Sequence, residues 1–410
     1  MKTKTVQILI LVLGSFVSTA WAGTLCDQDT LALVKCILEN APSLKRERAR
    51  VQTVGGELKV AAEKVNPQLN FQGLKSNSSD PSGDSVQTSL LFPLNKSGVR
   101  DSQISLAAVS DMKARNNLLI EEIRMGHWTY LALFRIRTFD DKLEVLQNLM
   151  AALAQSIKFY RLRPQLSAQQ RADQALLILY LEELKVRSAI VEQERNGLIH
   201  DIEIQLGQSW TPASENLPRH LEKWPVIGGS HPNPSSPLLQ SVQLDQKFGS
   251  EVARLKIEEK KSAIWIGPSV EWSRVDSQSG FRAGINLNIN LPLLESHRAT
   301  AETAILANDQ AQVEAVTRTS ELSGEWDHFR ESYNASVLAI AGLQSPGSMQ
   351  RQIVQLASDF QFGRIMASSY VEILKSLFAL TESRSELEIK SLTAWCQLQA
   401  LQNKIEGCYL

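Results

Sequence analysis

The sequence predicts a mainly α-helical protein that carries four short β-strands and is built as a tandem duplication. Three observations predict this architecture. One very long segment has helical periodicity, four short segments alternate apolar and polar residues, and similar segments recur about half a chain apart. Because self-similarity at a fixed period indicates copies of one structural unit, each half should contain a helix, a β-hairpin and a long helical hairpin.

The duplication shows most clearly where each hairpin begins and ends. Residues 67–71 (PQLNF) match residues 268–272 (PSVEW) at an offset of 201, and Pro93 matches Pro292 at an offset of 199. Both prolines are expected to end the second strand of their hairpin. Between the halves, residues 208–237 hold six of the fourteen prolines, a composition that predicts a linker.

The amino terminus predicts an exported protein. Two lysines precede an apolar run at 8–13, and residues 20–22 (AWA) fit the cleavage rule for secretory signals. The run is too short to span a bilayer comfortably as an uncleaved anchor. Cys26 raises a lipoprotein alternative, which Leu25 disfavours because a small residue is expected at that position. The predicted boundaries are a signal peptide at 1–22, a first repeat at 23–207 with β-hairpin 67–93 and helical hairpin 97–207, a linker at 208–237, and a second repeat at 238–410 with β-hairpin 264–292 and helical hairpin 295–407.

The long helical segment in the first repeat covers residues 97–160 and contains no proline and only two glycines. A continuous helix of this length would reach about 96 Å at about 1.5 Å per residue. Its apolar residues follow the heptad spacing that buries one helix against another. They are Leu143, Leu146, Met150, Leu153, Ile157 and Tyr160. In the second repeat, residues 345–348 (SPGS) should break or kink the corresponding helix, because proline is tolerated poorly inside a helix.

The four strand segments alternate with a period of two, which gives each strand one apolar and one polar face. The alternation is clearest over residues 285–291, where three asparagines separate four aliphatic residues. Asparagine is a poor strand residue, so three on one face indicate a wet interior. A half-exposed sheet in a soluble domain is the alternative. No segment after the signal is long and apolar enough for a membrane helix, so a membrane crossing would require a closed β-barrel.

Charge and motif content exclude several functional classes. Without the two lysines of the signal, 41 basic residues stand against 44 acidic ones, a net charge of −3 with no basic stripe. Nucleic acid is therefore not an expected partner. No catalytic motif is present, and Glu325 and His328 form only half of a di-iron motif, so we predict no enzyme, no metal and no cofactor. Four cysteines in an oxidising compartment allow three pairings, among which the sequence does not choose: Cys26, Cys36, Cys396 and Cys408.

Local patterns add a resemblance to a known family. Residues 29–32 (DTLA) and 38–44 (LENAPSL) resemble its opening helix, and residues 67–69 (PQL) resemble the entry into its first strand. Residues 360–365 (FQFGRI) and 368–374 (SSYVEIL) resemble its second helical bend. In their order and spacing, these patterns make nearly the whole mature chain similar to the TolC-type outer-membrane factors.

The resemblance implies a homotrimer in the outer membrane of a Gram-negative bacterium, with a large periplasmic part. Four strands from each chain would form a twelve-stranded β-barrel, and the helical hairpins would form an α-barrel. Such proteins are passive exit ducts for small molecules or secreted polypeptides in efflux and type I secretion. A periplasmic adaptor connects them to an inner-membrane pump. The alternatives are a periplasmic adaptor, which would have one helical hairpin and a run of β-domains, and a coiled-coil scaffold, which would not need the strands.

The resemblance also assigns roles to particular residues. The bends between long helices would be hairpin tips that contact the adaptor, formed by Arg163, Pro164, Leu166, Ser167, Gly363, Arg364 and Ile365. Glu372, with Asp173 as its counterpart in the first repeat, would line the periplasmic aperture. In the last strand, the lipid-facing residues would be Ile285, Leu287, Ile289 and Leu291, and the lumen-facing residues Asn286, Asn288 and Asn290.

Overall fold

The structure is a computed structural model, and its secondary structure confirms a mainly helical chain with four strands. It describes residues 29–63, 66–76, 83–94, 97–213, 217–218, 220–221, 223–227, 231–259, 263–275, 278–290, 298–343 and 346–409. The predicted signal at 1–22, Cys26, Pro292 and Leu291 lie outside these residues. The elements are α1 (Thr30–Asn40), α2 (Pro42–Ala62), β1 (Gln68–Ser76), β2 (Gly83–Leu94), α3 (Ser97–Arg161), α4 (Ala168–Leu206), α5 (Pro237–Glu259), β3 (Ala263–Val275), β4 (Gln278–Asn290), α6 (Arg298–Ala341), α7 (Pro346–Gln361), α8 (Ala367–Leu401) and a 3₁₀ helix (Ile405–Cys408).

The four strands form one antiparallel sheet in the order β1-β2-β3-β4, so the two hairpins are joined through β2 and β3. Cross-strand partners share a face, which allows the faces to be assigned from the register. Leu69 pairs with Leu90, Phe92 with Ile266, and Ile266 with Leu287. Most of the large apolar residues of the four strands therefore lie on one face of the sheet, whereas Leu91 and Trp265 lie on the other.

The expected strand end at Pro93 is wrong by one residue. β2 continues to Leu94, and Pro93 is paired in register with Trp265 of β3. Proline lacks an N–H but keeps its carbonyl group, so it is tolerated next to the end of a strand. Trp265 lies on the opposite face from Phe92 and Ile266, because neighbouring residues of a strand point to opposite sides.

The second long helix is interrupted where the sequence contains Ser345 to Ser348. Helix α6 ends at Ala341, and α7 begins at Pro346. Proline is well suited to the first position of a helix, since the N–H that it lacks would have no intrahelical partner there. The first repeat has no such interruption, because α3 is continuous over 65 residues.

The chain is divided into two compact units, and each unit combines segments from both predicted repeats. Unit 1 comprises the described residues before Glu47 together with those of Ile120–Ser236 and Ser323–Leu410. Its core contains Leu146, Leu153, Leu177, Tyr370 and Leu374. A disulfide joins Cys396 of α8 to Cys408 of the 3₁₀ helix, and Cys36 of α1 is also disulfide-bonded. The bond between Cys396 and Cys408 is one of the pairings that the sequence had left open.

Unit 2 comprises the described residues of Glu47–Leu119 and Pro237–Leu322 and contains the sheet. Polar contacts tie its helices together. Arg100 donates to the carbonyl oxygen of Ala62 at 2.7 Å, and Asn116 donates to the carbonyl oxygen of Pro237 at 2.8 Å. None of the helices in the described part of the chain is both long and apolar enough to cross a membrane.

Candidate functional site

The first predicted tip is a short turn between α3 and α4 in unit 1. Ser167 caps α4 by accepting a hydrogen bond from the N–H of Gln170 at 3.1 Å, while the Gln170 side chain accepts one from the N–H of Ser167 at 3.0 Å. This reciprocal arrangement is a capping box, and it fixes where α4 begins. Pro164 lies in the turn, and the Arg163 guanidinium lies 4.4 Å from the centre of the Phe159 ring.

The second predicted tip is the turn between α7 and α8. Gly363 has φ +69°. The N–H of Gly363 donates to the carbonyl oxygen of Phe360, and the N–H of Arg364 donates to the carbonyl oxygen of Asp359. This pair of bonds is the Schellman motif, which places a left-handed residue directly after a helix. The Arg364 guanidinium also pairs with the Asp359 carboxylate at 2.9 Å. Glycine is therefore required here for a conformational reason.

Aromatic contacts bring the two turns together. The rings of Tyr160 and Phe360 have centroids 6.1 Å apart, and Phe360 is stacked on Tyr370 at 4.7 Å. Leu166 and Ile365, one from each turn, are half-buried against the same core. Of the seven predicted tip residues, these two support the turns from inside. The other five are exposed: Arg163, Pro164, Ser167, Gly363 and Arg364.

The two candidate aperture residues have different surroundings. Asp173 accepts a hydrogen bond from the Gln169 side chain at 3.1 Å and also interacts with the hydroxyl of Tyr160. Burial and the nearby Asp173 raise the pKa of Tyr160, so this hydroxyl keeps its proton at neutral pH. Glu372 lies exposed on α8. The structure therefore engages the Asp173 carboxylate within its own chain and presents the Glu372 carboxylate to solvent.

The sheet of unit 2 is the second candidate site, because no described part of the chain covers its apolar face. Ile285 is 77% exposed and Leu287 55% exposed, and large apolar residues on the other strands are exposed as well. The opposite face carries Asn286 and Asn288, and the Asn286 amide donates to the Ser89 hydroxyl at 3.3 Å. The side chain of Asn290 and all of Leu291 lie outside the described residues. Strands β1 and β4 are the edges of the sheet.

Solved structures share this arrangement over most of its length. A membrane protein from Pseudomonas aeruginosa is 15% identical, with a TM-score of 0.73 over 92% of this chain and 90% of that chain. The open state of the Neisseria gonorrhoeae MtrE outer membrane channel is 13% identical, with a TM-score of 0.67 over 90% of this chain and 87% of that chain. The Campylobacter jejuni CmeC outer membrane channel is 10% identical, with a TM-score of 0.66 over 95% of this chain and 88% of that chain.

The chain has the fold of the TolC-type outer-membrane channels. The resemblance inferred from the sequence patterns is thereby confirmed at the level of the fold. No protein-family model and no curated protein sequence matches the chain.

On this outer-membrane-channel fold, the exposed surface of the tips includes apolar residues beyond the seven that the sequence assigned to adaptor contact. Leu162, Phe362 and Met366 are 73–77% exposed. The contact proposed below for the tips uses these exposed apolar side chains. The signal was present in the sequence, since none of the three continues the heptad seam of its helix.

Proposed function

We propose that three copies of this chain form a passive exit duct across the bacterial outer membrane and the periplasm. The observation that carries the proposal is the four-stranded sheet, which has an exposed apolar face, a polar face and two edge strands. A sheet in lipid needs every backbone group paired, and known membrane barrels have at least about eight strands. Three sheets joined edge to edge would give twelve strands, with the apolar face towards lipid and the asparagines towards the lumen.

The helices offer further surfaces for neighbouring copies. On α4, Leu179, Val186 and Ile190 are exposed at heptad-like spacing, and on α6 the same holds for Leu306 and Val313. Exposed apolar residues at this spacing are suited to packing against another long helix. They support an assembly in which the helices of three chains line a periplasmic tunnel.

The tips would contact a periplasmic adaptor that connects the duct to an inner-membrane pump. The contact surface would combine the exposed apolar residues Leu162, Phe362 and Met366 with the basic residues Arg163 and Arg364. Placing a photo-crosslinking residue at Phe362 in cells should yield an adduct with an envelope protein, identified by mass spectrometry. The same residue at Ser279, an exposed position on β4, should not yield that adduct.

Membrane fractionation combined with single-channel recording tests the duct itself. We expect the protein in the outer-membrane fraction, a shift in gel mobility on heating, and ion conductance after reconstitution into planar bilayers. A periplasmic adaptor or a coiled-coil scaffold would be released without detergent and would not conduct. Either of those two results would contradict the proposed duct.

A further inference from the structure

The connector between α4 and α5 is fastened to the helices of unit 1 at several points. The hydroxyl of Tyr333 on α6 donates to the carbonyl oxygen of Pro225 at 2.6 Å, and the ring of Trp224 packs edge-on against Tyr333. Near the end of the connector, the N–H of Asn233 donates to the carbonyl oxygen of Leu401 at the end of α8 at 2.9 Å. The connector is therefore a strap over unit 1, although its proline content predicted only a linker.

The side chain of His220, in the described part of the connector, contacts two carboxylates. Its Nδ1 lies 2.8 Å from Oε2 of Glu388 on α8, and its Nε2 contacts Oδ2 of Asp141 on α3. The His220 ring also meets the buried ring of Phe134 edge-on. The imidazole thus joins the connector to two helices at once.

Both hydrogen bonds require the imidazolium form. A protonated ring has two N–H donors, whereas a neutral ring has one donor and one acceptor. Loss of the proton would therefore leave a nitrogen lone pair facing either Asp141 or Glu388. Glu388 is buried, and the loss of a hydrogen-bond donor to a buried carboxylate costs free energy. The hydrogen bonds that the ring donates to Asp141 and Glu388 raise the pKa of His220 to about 9.

The other charged groups around His220 come from the same two helices. Arg384 bonds to Glu388 at 2.9 Å, and Arg137 approaches Asp141 at 3.5 Å. The charges of the two arginines and the two carboxylates balance, so the imidazolium gives the cluster a net positive charge. Its extra proton is the second N–H that the ring needs to donate on both sides. In the connector, Lys223 is exposed, while Arg219 and Glu222 lie outside the described residues.

We propose that protonated His220 is a clasp that holds the connector against α3 and α8, and that removal of its proton releases this part of the strap. The clasp responds to alkaline conditions and does not depend on the transport proposed above. Its sign follows from the raised pKa. The stabilisation is fully present below pH 6.5, the ordinary value for histidine, and is lost as the pH rises through about 9.

Hydrogen exchange of the intact protein in detergent tests the clasp. The measured quantity is the exchange rate of connector residues 217–227 divided by the exchange rate of α5. Base catalysis speeds the exchange of all amides, so it cancels in this ratio. We expect this ratio to rise by well over tenfold between pH 7 and pH 10, because the neutral fraction of a group of pKa about 9 grows from about 1% to about 90% over that range. Burial raises the pKa of Tyr333, so its bond to Pro225 persists over this range.

Three variants separate the clasp from a general effect of alkali. His220→Gln should show a high ratio already at pH 7 and no further rise. His220→Arg keeps a charged donor at all these pH values and should show a low ratio at both. His200→Gln removes an exposed histidine of α4 and should behave as the unaltered protein does. A flat profile in the unaltered protein, or an equal rise in His220→Arg, would overturn the proposal even if His220→Gln did not fold.

Discussion

The buried imidazole of His127 on α3 should make the fold sensitive to acid. Its Nε2 has no hydrogen-bond partner among the described residues, and burial lowers the pKa of His127 to about 4. The stabilisation from neutral His127 is therefore present above pH 6.5 and is lost as the pH falls through about 4. Protonation should remove about 3 kcal/mol from the free energy of unfolding. Thermal unfolding midpoints between pH 7 and pH 4 measure this loss.

The variant His127→Leu should flatten this acid dependence, because leucine has no proton to bind. The control His200→Leu alters an exposed histidine and should retain the dependence. A His127→Leu variant that lost stability with acid as steeply as the unaltered protein would assign the effect to another group.

Gly363 and Gly324 should respond in opposite directions to the same substitution. Neither glycine has another atom near the position of an added Cβ, but only Gly363 has a positive φ, of +69°. Gly363→Ala should destabilise the protein by about 1 kcal/mol, because a Cβ is strained in the left-handed region. Gly324→Ala lies within α6 and should stabilise it by up to about 1 kcal/mol. Thermal unfolding of both variants checks this, and equal signs would contradict the conformational explanation.

Ion selectivity should depend on Glu372 more than on Asp173. The Glu372 carboxylate is exposed on α8, whereas Asp173 is engaged by Gln169 and Tyr160. If Glu372 lines the aperture, Glu372→Gln should weaken cation preference and block by multivalent cations in single-channel recordings. Asp173→Asn is the matched control and should change both properties less. Unchanged selectivity in Glu372→Gln would remove this residue from the aperture and leave the duct proposal intact.

At the scale of elements, adjacent residues of β4 should differ in their tolerance of charge. Leu287 lies on the exposed apolar face of the sheet and Asn288 on the polar face. Leu287→Arg should cost roughly 2–4 kcal/mol near the middle of the bilayer, while Asn288→Arg should assemble and alter conductance. The heat-resistant assembled fraction on gels measures the difference. Equal assembly of the two variants would refute the proposed facing of the strand.

The elements that the sequence predicted well are those with local signals. The alternation around Ile285 and the break at Pro346 each depend on residues close together in the chain. The clasp was not predictable, because His220 is 79 residues from Asp141 and 168 from Glu388. The order of the sheet also depends on distant contacts, since β2 pairs with β3 of the other repeat. The contacts of Asp173 with Gln169 and Tyr160 were likewise not predictable, because Tyr160 belongs to a different helix.

For the whole molecule, the edges of the sheet are the feature that supports the proposed assembly. Within the described residues, β1 and β4 each have one neighbouring strand, so each has one side without a partner there. In lipid, every unpaired backbone group costs several kcal/mol, and pairing β4 of one chain with β1 of the next removes that cost. The exposed seam on α4, which includes Leu179 and Val186, would be covered by the same association. A folded monomer in a membrane is therefore not expected.

Light scattering of the folded protein in detergent, with the detergent contribution subtracted, tests this account most directly. The proposed duct predicts a protein mass of three chains, unchanged on dilution, because the barrel closes only between chains. A stable, folded and monodisperse particle with the mass of one chain would contradict it.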